Sequence, residues 1–455
     1  MTEFIMKKKW EIGEVKVHKM YLVMALFFGI IFSIMMPIFN EQDGQYHFAA
    51  STAIVDLPVN LSNYGEYTVG SGMGTQQNFY KNGTHFQQYY LQKVQIIPQA
   101  DIPRNINSAN TIFHYDFMGH VIPALGVWIG YHVYPSLGVM VVFGRLINMI
   151  VCSIMIFLII QWMKKGKLLL ATIMLSPVAI NSFASLSYDA VNFVWVSFLI
   201  AFVINKVVDK KVNWKYDIPI MIGIGIVSKI WFKTNYLVLL LMFVIIIADI
   251  LINKYFDDEL GNKKKNIFIA VLTSTAVLIS SGAFYYWTHG NGGVRYVLER
   301  LWASFGISNT STPTLVSQSL LAQSNRGYNM LPYWIAGVWF TLIIFVLLVE
   351  GKYVKSKLVS FGALAVFIAS ILAVYLNFIP FNEATSGQIY GVQGRYFTPV
   401  LLLLSLFIGN EEFKLKITPK KTIFVWVLII VFVSNMLLVV NTLSGMHGLF
   451  VEMRG

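Results

Sequence analysis

The chain has 455 residues, 56% of them hydrophobic and only 12% charged, with a mean hydropathy of +0.63. A soluble domain carries about 25% charged residues, so this composition, laid out in long apolar runs, excludes a soluble enzyme and points to a polytopic membrane protein. The single cysteine, Cys152, excludes an intramolecular disulfide and a multi-thiolate metal site. The net charge of +12 sits largely in lysine-rich loops between apolar runs, so it records topology and not nucleic-acid binding.

Taking those lysine loops (7–9, 164–165, 210–211, 263–265, 352–357 and 414–421) as cytoplasmic fixes a threading. Residues 1–19 are charged and no small-residue cleavage site follows the first apolar run, so they read as a cytoplasmic N-terminal segment and not a cleaved signal. Residues 20–455 read as one polytopic domain. A first helix over 20–39 runs outward into a long outer segment, 40–134, that is polar, aromatic and rich in Gly, Asn and Gln. Residues 136–163 return; 167–183 and 190–206 follow, joined by the outer turn SLSYDA. The pair 217–231 and 236–252 forms the next outer hairpin, with Lys229 and Lys233 near its tip.

Residues 266–287 run out to a second outer loop, 288–331, with a helical pattern around 294–302. Residues 333–348 go in and 358–379 out to a third outer loop, 380–396, which carries EATSGQIYGVQGRYF. The short span 398–408 and the last, 423–441, bring the total to about eleven, with the C-terminus outside. Residues 117–134 are apolar enough to cross, but His120, Pro123 and His132 interrupt them. Counting them would reverse every later loop, so the expectation is an interfacial or re-entrant helix in the first outer loop. The fold class expected is therefore all-α integral membrane, multi-pass, with the N-terminus inside and the working face outside.

The seven arginines played no part in this threading, and all fall on the outer side or within a span: Arg104, Arg145, Arg295, Arg300, Arg326, Arg395 and Arg454. Lysine satisfies the topology rule equally well. Guanidinium binds phosphate through paired hydrogen bonds and tolerates poor solvation better than ammonium. An outer phosphate site is the functional reading, and snorkelling at the interface the bland one. Arg395, flanked by Gln393 and Tyr396 and approached by glycines in GVQGRYF, is the first choice for a phosphate contact. Arg145 lies inside an apolar run, where a charge is paired or functional. Lys229, Lys233 and Asp189 complete the candidate binding set, although Asp189 at a helix start is also a natural cap.

The stretch NEQDGQYHFAA after the first helix packs Glu41, Asp43 and His47 into seven residues. In a helix Asp43 and His47 would stand four apart on one face. A partly desolvated carboxylate beside an imidazole can take a proton from an acceptor hydroxyl. The three together could instead hold a divalent cation such as Mg or Mn. The alternative is a cap at Asn40 with acids favouring the first helical turn. No P-loop, GxSxG or HExxH motif occurs, and no cytoplasmic loop is long enough for a nucleotide-binding domain. A substrate from the membrane or the outside follows.

The blocks MPIFNEQDGQYHFAA, GRLINMI, SPVAINSFASLSYDA and GVQGRYFTPVLLLL, in this order and spread over most of the chain, resemble a bacterial family of multi-pass membrane proteins of unassigned function. That family is related to the GT-C type membrane glycosyltransferases. Its first block usually reads D-E-x-x-H-F. Asp43, His47 and Phe48 match, while Gly44 stands where a second acid is common, leaving Asp43 as the principal acid. The resemblance implies a GT-C-like architecture with interfacial helices in a large first outer loop and a catalytic acid just after the first helix. It further implies transfer of a sugar, usually with inversion, from a polyprenyl-phosphate carrier to a cell-envelope glycan or teichoic-type acceptor. A transporter, flippase or non-catalytic accessory protein for lipid-linked glycans is the alternative.

Overall fold

The computed structural model describes residues 16–39, 41, 43–61, 86–98, 111–255, 259–305, 319–322, 331–382, 387–415 and 420–446. Among these residues the chain is helical, with no strand and two isolated bridges, Val59–Ile96 and Val354–Asn410. In chain order the helices are α1 (Val17–Met35), α2 (Gly44–Ile54), α3 (Tyr115–Val133), α4 (Leu137–Trp162), α5 (Lys167–Met174) and α6 (Pro177–Phe183). They continue with α7 (Asp189–Asp209), α8 (Asp217–Trp231), α9 (Leu241–Tyr255) and α10 (Glu259–His289). The last are α11 (Val294–Phe305), α12 (Trp334–Val349), α13 (Lys357–Phe378), α14 (Leu404–Ile408) and α15 (Lys420–Met446).

Among the described residues six segments are long and apolar enough to cross a membrane: Val17–Met35, Leu137–Trp162, Asp189–Asp209, Thr234–Tyr255, Lys357–Phe381 and Lys420–Ser444. This corrects the expectation of about eleven, and the reasons are local. Residues 167–183 do not make one helix: Ser176 caps a new one by accepting from the Ala179 amide, and Pro177 cannot continue the old one. The break leaves α5 with 8 residues and α6 with 7. Helix α8 has 15 residues and α12 has 16, where about 20 are needed to span. Residues 398–408 wind as a 3-10 stretch, Pro399–Leu403, before the five residues of α14. The expected span 266–287 lies within the 31 residues of α10.

Helix α7 is the centre of the bundle, with 72% of its most apolar window buried, against 33% for α1 at the edge. Helices α1 and α4 run antiparallel and close. A Cβ on Gly29 would lie 2.5 Å from Met149 Cγ, so only glycine admits that approach. Helix α3 folds back on α4 through the turn at Tyr134–Ser136. Added carbons at Gly126 and Gly130 would meet α4 backbone at 2.4 Å and 2.8 Å, a small-xxx-small contact.

One buried ion pair sets where α4 stands relative to α1. Arg145, nine residues into α4 and 1% exposed, donates from Nη1 to the Met36 carbonyl (2.7 Å) and from Nη2 to the Pro37 carbonyl (2.8 Å) and Glu41 Oε2 (2.5 Å). Met36 is the C-cap of α1, so its carbonyl is one that no helical amide can reach, and Pro37 follows it. Glu41 Oε1 in turn accepts from the Leu186 amide at 3.3 Å. Asn148, one turn on from Arg145, donates to the Phe183 and Ser185 carbonyls. The first two turns of α4 therefore extend beyond the end of α1, and α3 packs against that extension.

Removing one partner of a buried pair costs about 3–5 kcal/mol, because the other charge stays buried alone. Glu41→Gln and Arg145→Met are each expected to lower the thermal unfolding midpoint of the detergent-solubilised protein clearly. A scanning-fluorimetry midpoint that does not move would show that the pair does not hold this junction.

Candidate functional site

Three separate stretches meet at the N-terminus of α7. Asp189, its first residue and 1% exposed, receives Lys233 Nζ on Oδ1 at 2.8 Å and contacts Arg395 Nε through Oδ2 at 2.8 Å. The first contact is a hydrogen bond. The second has ion-pair distance but poor alignment, so both Arg395 Nε and Asp189 Oδ2 lack a hydrogen-bond partner. Lys233 is also held between the Tyr188 and Tyr396 rings, 4.3 Å from each centroid. Burial pulls the Lys233 ammonium's pKa down most strongly, but the Asp189 carboxylate together with Tyr188, Tyr396 and Tyr236 outweighs this and holds it above the ordinary lysine range. Arg395 follows the same balance: burial lowers and Asp189 raises, with a net rise to which Asp43 contributes. Two cations sharing one carboxylate leave a buried charge of +1, from Lys233 and Arg395 against Asp189.

The Arg395 loop is fixed from behind. Its residues make a 3-10 turn, Gly394–Tyr396, whose Gly394 amide donates to Ser319 Oγ at 2.7 Å. Thr398 Oγ1 donates to the Leu320 carbonyl, the Ile389 amide to Ser304 Oγ of α11, and Tyr236 Oη to the Tyr396 carbonyl.

Beside this cluster stands an imidazole pair that the sequence did not single out as such. His47 in α2 and His120 in α3 are both buried, with His47 Nδ1 2.8 Å from His120 Nε2. His120 Nδ1 lies 2.6 Å from the Asp116 carbonyl, which can only accept, so that nitrogen carries a proton. A neutral His120 then accepts at Nε2, His47 donates from Nδ1, and His47 Nε2 is left as a lone pair. Burial pushes the pKa of both rings down, that of His47 well below the usual range. For His47, Asp189 opposes the fall, while His120, Arg395 and Lys233 add to it; for His120, Asp116 opposes it. Tyr188 touches both rings edge-on, at 4.9 Å and 5.7 Å.

The sequence candidates thus separate. Asp189, Lys233, Arg395, Tyr396 and His47 converge on one place. Asp43 adjoins it: exposed, at the cap position of α2, in the left-handed region with φ +57°, and near enough to act on Arg395. Gln393 is half-buried and opens the Arg395 turn. Glu41 and Arg145 pair with each other below the site, and Lys229 is exposed without joining it. Asn40 lies outside the described residues, as do Arg104, Arg326 and Arg454. Glu41, Asp43 and His47 do not meet as cation ligands, since Glu41 is taken by Arg145 and His47 Nδ1 by His120. Among the described residues no group of three or more His, Cys, Asp or Glu is placed to hold a metal.

His120 and Tyr188 were the residues missed. His120 reads in the sequence as an interruption of an apolar run, and Tyr188 as one more interfacial aromatic. A histidine facing inward from an amphipathic helix was the available signal.

Residues 26–404 fit the family described as Predicted membrane protein (DUF2142). The chain is a member of the DUF2142 family. No curated protein matches, and no solved structure does. The DUF2142 match runs from the middle of α1 to the start of α14, and so takes in all the residues of the site.

The buried imidazoles make acid stability a readout of the site. Unfolded histidine titrates near about 6.5. The folded rings, with lowered pKa values, bind fewer protons below that pH, so stability is full above it and falls as pH drops through the folded values. The unfolding midpoint is expected to decline below about pH 6.5, and His120→Gln to flatten the decline. Equal slopes for variant and wild type would place the acid sensitivity elsewhere.

Proposed function

We propose that this DUF2142 protein is a membrane glycosyltransferase of the GT-C type, moving a sugar from a polyprenyl-phosphate carrier to a cell-envelope glycan or teichoic-type acceptor on the outer face of the cytoplasmic membrane. The observation that carries the reading is the surplus cation at Lys233, Arg395 and Asp189 beside the exposed carboxylate of Asp43. A phosphate-linked leaving group needs fixed positive charge, and an acceptor hydroxyl needs a base.

In this reading the carrier phosphate lies against Arg395 and Lys233. Asp43 takes the acceptor hydroxyl proton, the acceptor oxygen forms a bond to the anomeric carbon, and the bond from that carbon to the phosphate oxygen breaks. The electron pair leaves on phosphate and the sugar inverts. Protonation of Asp43 removes its negative charge, so the cations it had partly offset act on the departing phosphate as charge develops there. His47, neutral and fixed in one tautomer by His120, can accept a hydrogen bond without competing for the phosphate. Asp189 holds the two cations at a set separation. The six candidate spans and the family match support the membrane setting.

Transfer of radiolabelled sugar from polyprenyl-phosphate donors by purified protein tests this. Asp43→Asn is expected to reduce turnover by about 10²–10⁴-fold, the range for loss of a general base, with donor binding kept. Arg395→Gln should weaken donor binding as well as turnover. Wild-type protein that binds lipid-linked glycan and transfers nothing would favour the carrier or accessory reading instead.

A further inference from the structure

The opposite end of the bundle carries a second feature, and the 21 residues of α7, about 30 Å of helix, separate it from Asp189. A cleft of about 860 Å³ opens between the C-terminal ends of α7 and α9 and the segment leading into α13. That volume falls in the ~300–1,000 Å³ range of small-molecule sites. Val207, Ile246, Ile250 and Val359 contribute apolar lining. Its polar lining includes five lysines, Lys206, Lys210, Lys254, Lys355 and Lys357, against Asp249 and Glu412.

The lysines are not equivalent. Lys206 is spent on Asp217 at 2.6 Å and Lys357 on Glu412 at 2.9 Å. Asp249 accepts from Ser356 Oγ at 2.5 Å, a bond that closes the cleft's wall. Lys210, Lys254 and Lys355 are exposed and have no carboxylate partner among the described residues. With both pairs neutral, three cations against Asp249 leave, among the described residues of the lining, a surplus of two positive charges over an apolar floor. Lysines near the ends of α7 and α9 also suit the helix dipoles, but that role needs no cleft and does not account for Lys355, which lies outside any helix.

We infer that this cleft binds an anionic phospholipid, its phosphate among Lys210, Lys254 and Lys355 and an acyl chain along Val207, Ile246 and Ile250. The position decides for a lipid over a soluble anion. The cleft lies where three candidate spans, Asp189–Asp209, Thr234–Tyr255 and Lys357–Phe381, end together, which is headgroup depth. Basic pockets between spans at that depth take anionic headgroups. The inference is independent of the proposed transfer chemistry.

Full-length protein in detergent, titrated with dioleoylphosphatidylglycerol or dioleoylphosphatidylcholine and read by native mass spectrometry, tests it. Wild type should retain the glycerol lipid in preference to the choline lipid. The triple variant K210Q/K254Q/K355Q should bind the glycerol lipid tenfold or more weakly, with choline-lipid binding unchanged. K210R/K254R/K355R should keep the preference, which separates charge from misfolding. Ile250→Trp, which fills the floor but leaves every lysine, should also lose the glycerol lipid. Equal retention of the two lipids by wild type, or no effect of the triple variant, would overturn the site. Tight binding that survives Ile250→Trp, or displacement by millimolar inorganic phosphate, would overturn the lipid assignment in favour of a soluble anion.

Discussion

The contact on which the rest depends is the guanidinium of Arg145 among the Met36 and Pro37 carbonyls and the Glu41 carboxylate. A charge inside an apolar helix is tolerable only when it is paired, and both terminal nitrogens of Arg145 are bonded while its Nε is not. Here the answer comes from the end of α1 and the turn after it, while Glu41 reaches on to the Leu186 amide. One buried pair therefore joins the α1 exit, the middle of α4 and the turn before α7. His47 hangs from the first of these and Asp189 from the last. Their proximity follows from a contact neither of them makes.

The site above it is built so that its groups restrain one another. Asp189 alone would be a costly buried carboxylate, and Lys233 and Arg395 costly buried cations. Together they are held, with aromatic faces on both sides of Lys233 and a misaligned Arg395 Nε left wanting an acceptor. The neutral imidazole pair fills the next position without adding charge. Such a cluster is electrostatically unfinished by one unit, which suits a place that an anion visits.

Much of the membrane architecture was legible, because long apolar runs and lysine loops are composition. The runs at 20–39, 136–163, 190–206, 236–252, 358–379 and 423–441 correspond to the six candidate spans. The span count was not legible, since Ser176–Pro177 and the 3-10 winding at Pro399 shorten segments whose hydropathy alone looks sufficient. Within the site, residue types could be picked but partners could not. Glu41 beside Asp43 looked like chemistry, and only the fold reveals that Arg145, 104 positions away, claims it. Lys233 and Arg395 were chosen as separate phosphate contacts, yet what unites them is Asp189, which read in the sequence first of all as a helix cap. The His47–His120 bond joins residues 73 apart and leaves no trace in spacing.

The left-handed backbone at Asp43 limits what can replace it. Among side chains, Asp and Asn enter that region most readily, and only glycine does so freely. A glutamate there would keep the charge, lengthen the reach and strain the chain at the same time. Residue choice at this corner is thus narrowed twice, once by the acid and once by the turn that presents it. Drift along a lineage would be expected to pass through asparagine or glycine, losing the carboxylate in one step, before it passed through the chemically closer glutamate.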